Sequence, residues 1–205
     1  MKVVAIDGSG VQANFQSQYY QKRLKDFKKN IKRNYNKLDI IVDTYGKKQI
    51  IDYYFLLKNR HDSFVAKKLL KKIKFKKCKI LADKGYPKYD FIDEMKKKKN
   101  NFISPPKDYG ENCRHNNFRR RKKILNFESN KKIYRRRVIV EAVFSMIKRK
   151  YGSFVLSKSF ETQKKELLIR LVAYNIDRKI ILSALVIIGF HQSLYIQVNL
   201  LSLFC

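Results

Sequence analysis

The chain has 205 residues, which is enough for one domain with a substantial core. Its 48 Lys and Arg residues against 17 Asp and Glu give a net charge of +31, so the expected partner is a polyanion such as DNA or RNA, bound in a salt-dependent way. A hydrophobic content of 44%, with 14 Phe and 13 Tyr, excludes a disordered basic tail, because that much apolar surface must be buried in a fold.

The cysteines and the first residues indicate a reducing compartment. Cys78, Cys113 and Cys205 are odd in number and widely spaced, which favours neither a disulfide framework nor a zinc site. No secretory signal is recognisable, because charge begins at Lys2 and the first apolar run is short. We therefore expect a cytoplasmic protein, and a DNA partner would associate it with the nucleoid.

The first half of the chain alternates short apolar runs with polar segments. Residues 2–6 predict a buried strand that ends at Asp7 before a glycine-rich turn. The runs 38–42 and 50–57 predict a hairpin, which with the first strand gives three antiparallel strands. Residues 16–37 are basic and aromatic, and we predict a loop or a surface helix there.

A helix and two further strands are predicted next. Apolar residues with helical spacing follow a capping residue at Asp62 or its neighbour. Residues 79–82 predict another short buried strand, which is followed directly by Asp83. A helix around Met95 and a strand at residues 102–104, stopped by two prolines, complete the predicted order βββαβαβ.

Residues 107–133 are a charge run without periodicity, for which we predict a flexible basic loop. The next stretch fits a mostly buried helix, because at about 100° per residue four polar side chains share a wedge roughly 60° wide between apolar flanks. These side chains are Tyr134, Arg137, Glu141 and Lys148. Such charges on a buried helix are either paired or line a cavity, so a structural ion-pair stripe and an active site both explain the pattern.

A segment at Phe154 and a helix from about Thr162 complete a compact α/β domain, predicted over residues 1–178. Residues 179–205 form an atypical apolar tail, since no Asp, Glu, Lys or Arg occurs from Ile180 onward. Polar residues interrupt this tail, so we predict an extension of the final helix or a poorly defined tail, without a stable membrane partner. The alternative is a membrane helix that starts at Ile180.

Three carboxylates can converge at one edge of the predicted sheet. Asp7 and Asp83 follow strands, and Glu141 lies on a later helix. Three acids can hold two divalent cations about 3.5–4 Å apart, which clamp a scissile phosphate. Mg²⁺ suits carboxylate ligands, with phosphate and water completing its octahedron, and Mn²⁺ can substitute for it. Taken singly, each acid also has a structural explanation, since an Asp before Gly forms turns.

These motifs resemble those of the DDE transposases of bacterial and archaeal insertion sequences. The helix fits the signature Tyr-x2-Arg-x3-Glu-x6-Lys of one large group of these enzymes, with Glu141 as the third catalytic acid. Asp7 resembles the first acid, and Asp83, in Asp-Lys-Gly-Tyr, resembles the second. The resemblance covers residues 2–178 and implies a single catalytic domain with a ribonuclease H-like mixed sheet.

By that similarity, Asp7, Asp83 and Glu141 are the catalytic acids and bind two Mg²⁺ ions. The reactions implied are hydrolysis at the transposon ends and attack of the freed 3′-hydroxyl on target DNA. The residues implied to position DNA phosphates are Tyr134, Arg137, Lys148 and, as a weaker candidate, Lys84. Synapsis of two ends implies a homodimer.

Family members usually carry an N-terminal helical region before the first catalytic strand, so we expect a truncated copy. Two other functions fit parts of the sequence. One is a catalytically inactive, basic DNA-binding remnant of a transposase, for which the +31 charge suffices. The other is a membrane-tethered basic protein, an interpretation that depends on the tail alone.

Overall fold

The computed structural model describes residues 2–13, 35–56, 62–72, 76–86, 89–106, 117–157 and 159–201. These residues form six strands and five α-helices. The strands are β1 (Lys2–Ala13), β2 (Tyr35–Asp43), β3 (Ile50–Leu56), β4 (Cys78–Ala82), β5 (Asn101–Ile103) and β6 (Phe154–Val155). The helices are α1 (Asp62–Lys72), α2 (Tyr89–Lys97), α3 (Asn117–Tyr134), α4 (Val138–Tyr151) and α5 (Phe160–Leu201), with a 3₁₀ turn (Arg135–Arg137) between α3 and α4.

The strands form one mixed sheet in the order β3-β2-β1-β4-β5. β2 is antiparallel to both β1 and β3, whereas β4 is parallel to both β1 and β5. β6 pairs with the far end of β1, where Gln12 lies opposite Phe154. The predicted order βββαβαβ, the hairpin and the mixed α/β class are confirmed.

The prediction that β1 ends at Asp7 is wrong. The strand continues to Ala13 because β2 pairs with it from Val4 to Gln12, and these cross-strand hydrogen bonds override the turn preference of Asp before Gly. The same pairing extends β2 back to Tyr35. The loop or surface helix predicted for residues 16–37 is therefore wrong at residues 35–37, which belong to this strand. Residues 16–34 lie outside the described part of the chain.

The flexible loop predicted at residues 107–133 is wrong for residues 117–133, which form α3. Two side-chain bonds hold this helix on the sheet: Asn126 donates to the Phe102 carbonyl at 3.1 Å, and Lys79 donates to Asn130 at 2.7 Å. Lys and Arg are good helix formers, so a charge run becomes a helix once one face is anchored. Residues 107–116 lie outside the described residues.

The sheet is covered on both faces, and alternate residues of β1 point to different cores. Val3 and Ala5 pack in a cluster with Val143 of α4 and with residues of α5. Val4 and Ile6 pack in a second cluster with residues of α1 and α2. Because strand side chains alternate, α4 lies over the face to which odd-numbered β1 residues point.

A 3₁₀ turn interrupts the continuous helix that was predicted from Tyr134 to Lys148. Tyr134 is the last residue of α3, and Arg137 ends the 3₁₀ turn with helical dihedral angles. α4 is followed directly by Gly152, which has φ 93° and ψ 151°. Almost no residue except glycine adopts this backbone conformation. The prediction of a helix over this stretch is otherwise confirmed.

A carboxylate links β6 to the start of α5. Glu166 accepts hydrogen bonds from the Leu156 and Ser157 backbone N–H groups and from the Ser157 hydroxyl at 2.7–3.1 Å. Arg170 pairs with Glu166 and also donates to the Gly152 carbonyl at 3.1 Å. This network fixes the turn between α4 and α5.

α5 continues to Leu201, so the predicted extension of the final helix is confirmed over residues 180–201. Its exposed apolar side chains include Ile169, Val172, Ile176 and Ile180. Within the described part of the chain, no helix has both the length and the apolar character needed to cross a membrane.

Candidate active site

Asp7 and Asp83 lie side by side on neighbouring parallel strands. The last paired residues of β1 and β4 are Ile6 and Ala82, and each acid is the next residue along its chain. Neighbouring strands are about 4.8 Å apart, so the register places the two acids next to each other. Asp7 also accepts a hydrogen bond from the Gly8 backbone N–H at 2.9 Å, which orients its carboxylate.

Glu141 is brought to the same place by the first turn of α4. Val140, Val143 and Phe144 are buried against the sheet, which leaves Glu141 at the margin of the helix with 48% of its side chain exposed. Arg137, one turn earlier, bridges the acids: it donates to Asp7 at 3.1 Å and to Glu141.

The charges of these groups influence one another's titration at Asp7 and Arg137. Burial raises the pKa of Asp7, as does repulsion from Glu141 and Asp83, although the Gly8 N–H and the Arg137 guanidinium lower it. Burial alone would lower the pKa of Arg137, but Asp7 and the other acids raise it above its usual value. A positive group thus lies within a cluster of three carboxylates.

The remaining predicted side chains surround this cluster to different degrees. Tyr134 is half-buried, and burial raises its pKa, as do Asp83 and Asp7, against the lowering effect of Arg137. Lys148 lines a pocket of about 600 Å³ together with Asp7 and Glu141. Lys84 is exposed in the turn after β4.

The pocket beside the acids has a mixed polar and charged lining. Its lining residues are Asp7, Gly8, Ser9, Glu141, Phe144, Ser145, Lys148 and Arg149. A lining with two carboxylates and two cations suits a ligand that brings both positive and negative charge, such as a phosphodiester with its counterions.

No group of three or more His, Cys, Asp or Glu side chains in the described ranges stands close enough to hold a metal ion. Arg137 provides the positive charge between Asp7 and Glu141 instead. The donor types nevertheless suit a hard cation, because carboxylate oxygens are preferred ligands of divalent ions such as Mg²⁺. Metal binding by these residues therefore stays a prediction.

Sequence reasoning missed a buried polar cluster on the opposite face of the sheet. Asp39 of β2 is fully buried, accepts a hydrogen bond from the Tyr86 hydroxyl at 2.7 Å, and lies 4.0 Å from the Lys37 ammonium. The sequence feature that could have indicated this cluster is a carboxylate inside an otherwise apolar strand, Leu38-Asp39-Ile40-Ile41-Val42. Its partner Tyr86 is too distant in sequence for that signal to identify.

Known proteins resemble this chain in sequence pattern and in fold. The family described as "Transposase DDE domain" matches residues 1–176. A solved structure with a similar fold is the piggyBac transposase synaptic complex with hairpin DNA, determined by cryo-EM, with a TM-score of 0.50 at 11% sequence identity. The similarity covers 84% of this chain but only 45% of that chain. No curated protein sequence gives a significant match.

Proposed function

We propose, from the premise that the chain belongs to the transposase DDE domain family, that it cuts and joins DNA in a metal-dependent reaction. The observation that supports this proposal is the position of Asp7 next to Asp83 in the β1–β4 register, with Arg137 joining Asp7 to Glu141. We propose further that residues 1–178 form a ribonuclease H-like catalytic domain of the insertion-sequence type, with residues 179–205 as an appended segment.

The proposed roles follow from the position of each side chain. Asp7, Asp83 and Glu141 are the proposed ligands of two divalent ions, Mg²⁺ or Mn²⁺. When bound, such a pair supplies an activated water or 3′-hydroxyl and charge stabilisation of the leaving oxygen. Arg137 presents a planar, bidentate fork, and Lys148 a point charge, to the oxygens of a DNA phosphate.

The substrate proposed is DNA at the ends of a transposon and then at a target site. Support comes from the net charge of +31 and from exposed basic side chains on α3 and the turn after it. Those with described exposure are Arg121, Lys122, Lys131, Lys132 and Arg135. Tyr134 and Lys84 are proposed as further phosphate contacts, and joining two ends would require a homodimer. The proposed location is the cytoplasm, at the nucleoid.

Nicking and strand transfer by the purified chain test this function. Wild-type protein is expected to nick or join DNA in the presence of Mg²⁺ or Mn²⁺ and not in EDTA. Asp83→Asn is expected to lose this activity, whereas Asp93→Asn, which removes an exposed carboxylate from α2, should keep it. Equal activity of Asp83→Asn and wild type would reject the assigned site.

A DNA-binding remnant without catalysis is the second candidate function. It is favoured by the arrangement of Arg137, which bridges Asp7 and Glu141 while no three-ligand group occurs among the described residues. Salt-dependent DNA binding without cleavage at any Mg²⁺ or Mn²⁺ concentration would select this candidate. Cleavage that is lost in Asp83→Asn would exclude it.

A further inference from the structure

The buried cluster of Lys37, Asp39 and Tyr86 lies directly behind the candidate active site. Asp39 is opposite Gly8 in the β1–β2 register, and its side chain points to the face away from α4. The Asp39 side chain has no exposure, and that of Lys37 is 10% exposed. A buried carboxylate is costly unless it is paired and hydrogen-bonded, so its presence here calls for a specific interaction.

Tyr86 connects this cluster to Asp83. The Tyr86 backbone N–H donates to the Asp83 carbonyl at 3.2 Å, which closes the turn that follows β4. Its side chain is 1% exposed in the core formed with α1 and α2, and its hydroxyl donates to Asp39 at 2.7 Å. The turn that carries Asp83 is thereby attached to β2, two strands away from β4 in the sheet.

Gly8 connects the same carboxylate to Asp7. A Cβ atom on Gly8 would lie 2.6 Å from an Asp39 oxygen and 3.0 Å from the Lys37 side chain, so only glycine leaves room for the cluster. The Gly8 backbone N–H in turn donates to Asp7 at 2.9 Å. One buried carboxylate therefore contacts the immediate neighbourhood of both Asp7 and Asp83.

We propose that Asp39 and Tyr86 are positioning residues that set the separation of the Asp7 and Asp83 carboxylates. This inference rests on the proposed function, in which those acids bind divalent ions. Partners that orient metal ligands are commonly worth roughly 10–100-fold in metal affinity or activity. A displacement of about 1 Å at a reacting centre can have an effect of about 100-fold on rate.

The alternative is that Asp39 only satisfies a buried tyrosine hydroxyl. Tyr174 provides a matched control, because it is also buried (4% exposed) and its hydroxyl donates to the Lys48 carbonyl at 3.0 Å, in the other core. Tyr86→Phe and Tyr174→Phe remove the same atom from comparable surroundings. A purely structural role predicts similar effects of both substitutions.

The test measures DNA nicking and, separately, Mn²⁺ binding by isothermal titration calorimetry on the full chain. Tyr86→Phe is expected to lower kcat and weaken Mn²⁺ binding by roughly 10–100-fold, with an unchanged KM for DNA, while Tyr174→Phe changes neither. Asp39→Asn keeps the size of the side chain and an acceptor oxygen for Tyr86, so it should lie between wild type and Asp39→Ala.

The outcomes separate this inference from the proposed function. Equal kcat and Mn²⁺ affinity in Tyr86→Phe and Tyr174→Phe would overturn it. Should Tyr86→Phe not fold, wild-type values in Asp39→Ala, which removes the acceptor of the Tyr86 hydroxyl, would overturn it equally. Wild-type protein that binds Mn²⁺ but does not cut DNA would reject the proposed function alone, and the calorimetric comparison would still decide the inference. Wild-type protein that neither cuts nor binds Mn²⁺ would reject both.

Discussion

Replacing Arg137 by alanine should destabilise the protein in EDTA and make it respond more strongly to metal ions. Arg137 is 20% exposed and pairs with Asp7, which is 21% exposed, and with Glu141, which is 48% exposed. Without the guanidinium, three carboxylates repel one another with no positive group among them. A divalent ion would then replace the missing charge.

The size of the effect follows from the burial of these pairs. An exposed pair contributes about 0–1 kcal/mol, whereas breaking a fully buried pair costs about 3–5 kcal/mol. The partly exposed bridge of Arg137 lies between these limits, so we expect a loss of about 2 kcal/mol. For a chain of this size that corresponds to a fall in Tm of about 4–8 °C.

Thermal unfolding followed by circular dichroism, in EDTA and in 10 mM MgCl₂, measures both effects. A site with a Kd of about 1 mM would add about 1.4 kcal/mol to wild type at that concentration. Arg137→Ala should gain more than wild type, because the acids no longer have a competing cation. Arg170→Ala is the matched control, since Arg170 is 12% exposed and pairs with Glu166, one turn earlier on α5.

The expected result is similar destabilisation of both variants in EDTA and a larger Mg²⁺-dependent rise in Tm for Arg137→Ala alone. An equal response to Mg²⁺ in the two variants would refute the reasoning, because Arg137 would then be an ordinary structural ion pair.

Three further substitutions test the electrostatics and the backbone. Burial and neighbouring acids raise the pKa of Asp7 above 3.8, so its ionised form opposes folding; Asp7→Asn should raise Tm at pH 7 but not below pH 3.8. Burial alone would raise the pKa of Glu166, but hydrogen bonds lower it below 4.5, so Glu166→Gln should cost most stability above that pH and less as pH falls through the lowered pKa. Gly152→Ala should cost about 2 kcal/mol in urea unfolding, because φ 93° with ψ 151° strains any Cβ-bearing residue.

Each of these expectations has a clear contrary result. A lower Tm for Asp7→Asn at pH 7 would mean that its bond to Arg137 outweighs the repulsion. A pH-independent cost of Glu166→Gln would mean that the lost acceptor oxygen, not the charge, matters, because Gln keeps the size of Glu. Unchanged unfolding of Gly152→Ala would show that the turn relaxes freely.

The sequence predicted the secondary structure around Asp83 and Glu141 well, for local reasons. Asp83 follows an apolar run too short to be anything but a strand, and Glu141 belongs to a helix with clear apolar flanks. The residues next to Asp7 in the sequence could not predict that it lies inside β1. Its turn-forming neighbours are overruled by pairing with β2, which is a tertiary effect.

The other features that the sequence did not predict, α3 and the role of Asp39, also depend on tertiary contacts. α3 has weak helical patterning, and its bonds to Phe102 and Lys79 help to define the face that it buries. The role of Asp39 depends on Tyr86, which lies 47 residues further along the chain. Contacts between distant segments decide both features, whereas periodicity reports only on neighbours along the chain.

The pairing of β1 with β6 has a consequence for synthesis of the protein. β1 emerges from the ribosome well before β6, so its register with Phe154 and Val155 cannot form until those residues have been translated. At typical translation rates this delay is roughly 7–30 s, during which the far end of β1 lacks its β6 neighbour. Non-local pairing of this kind folds slowly, so the nascent chain should depend on chaperones, and its yield should rise at lower growth temperature.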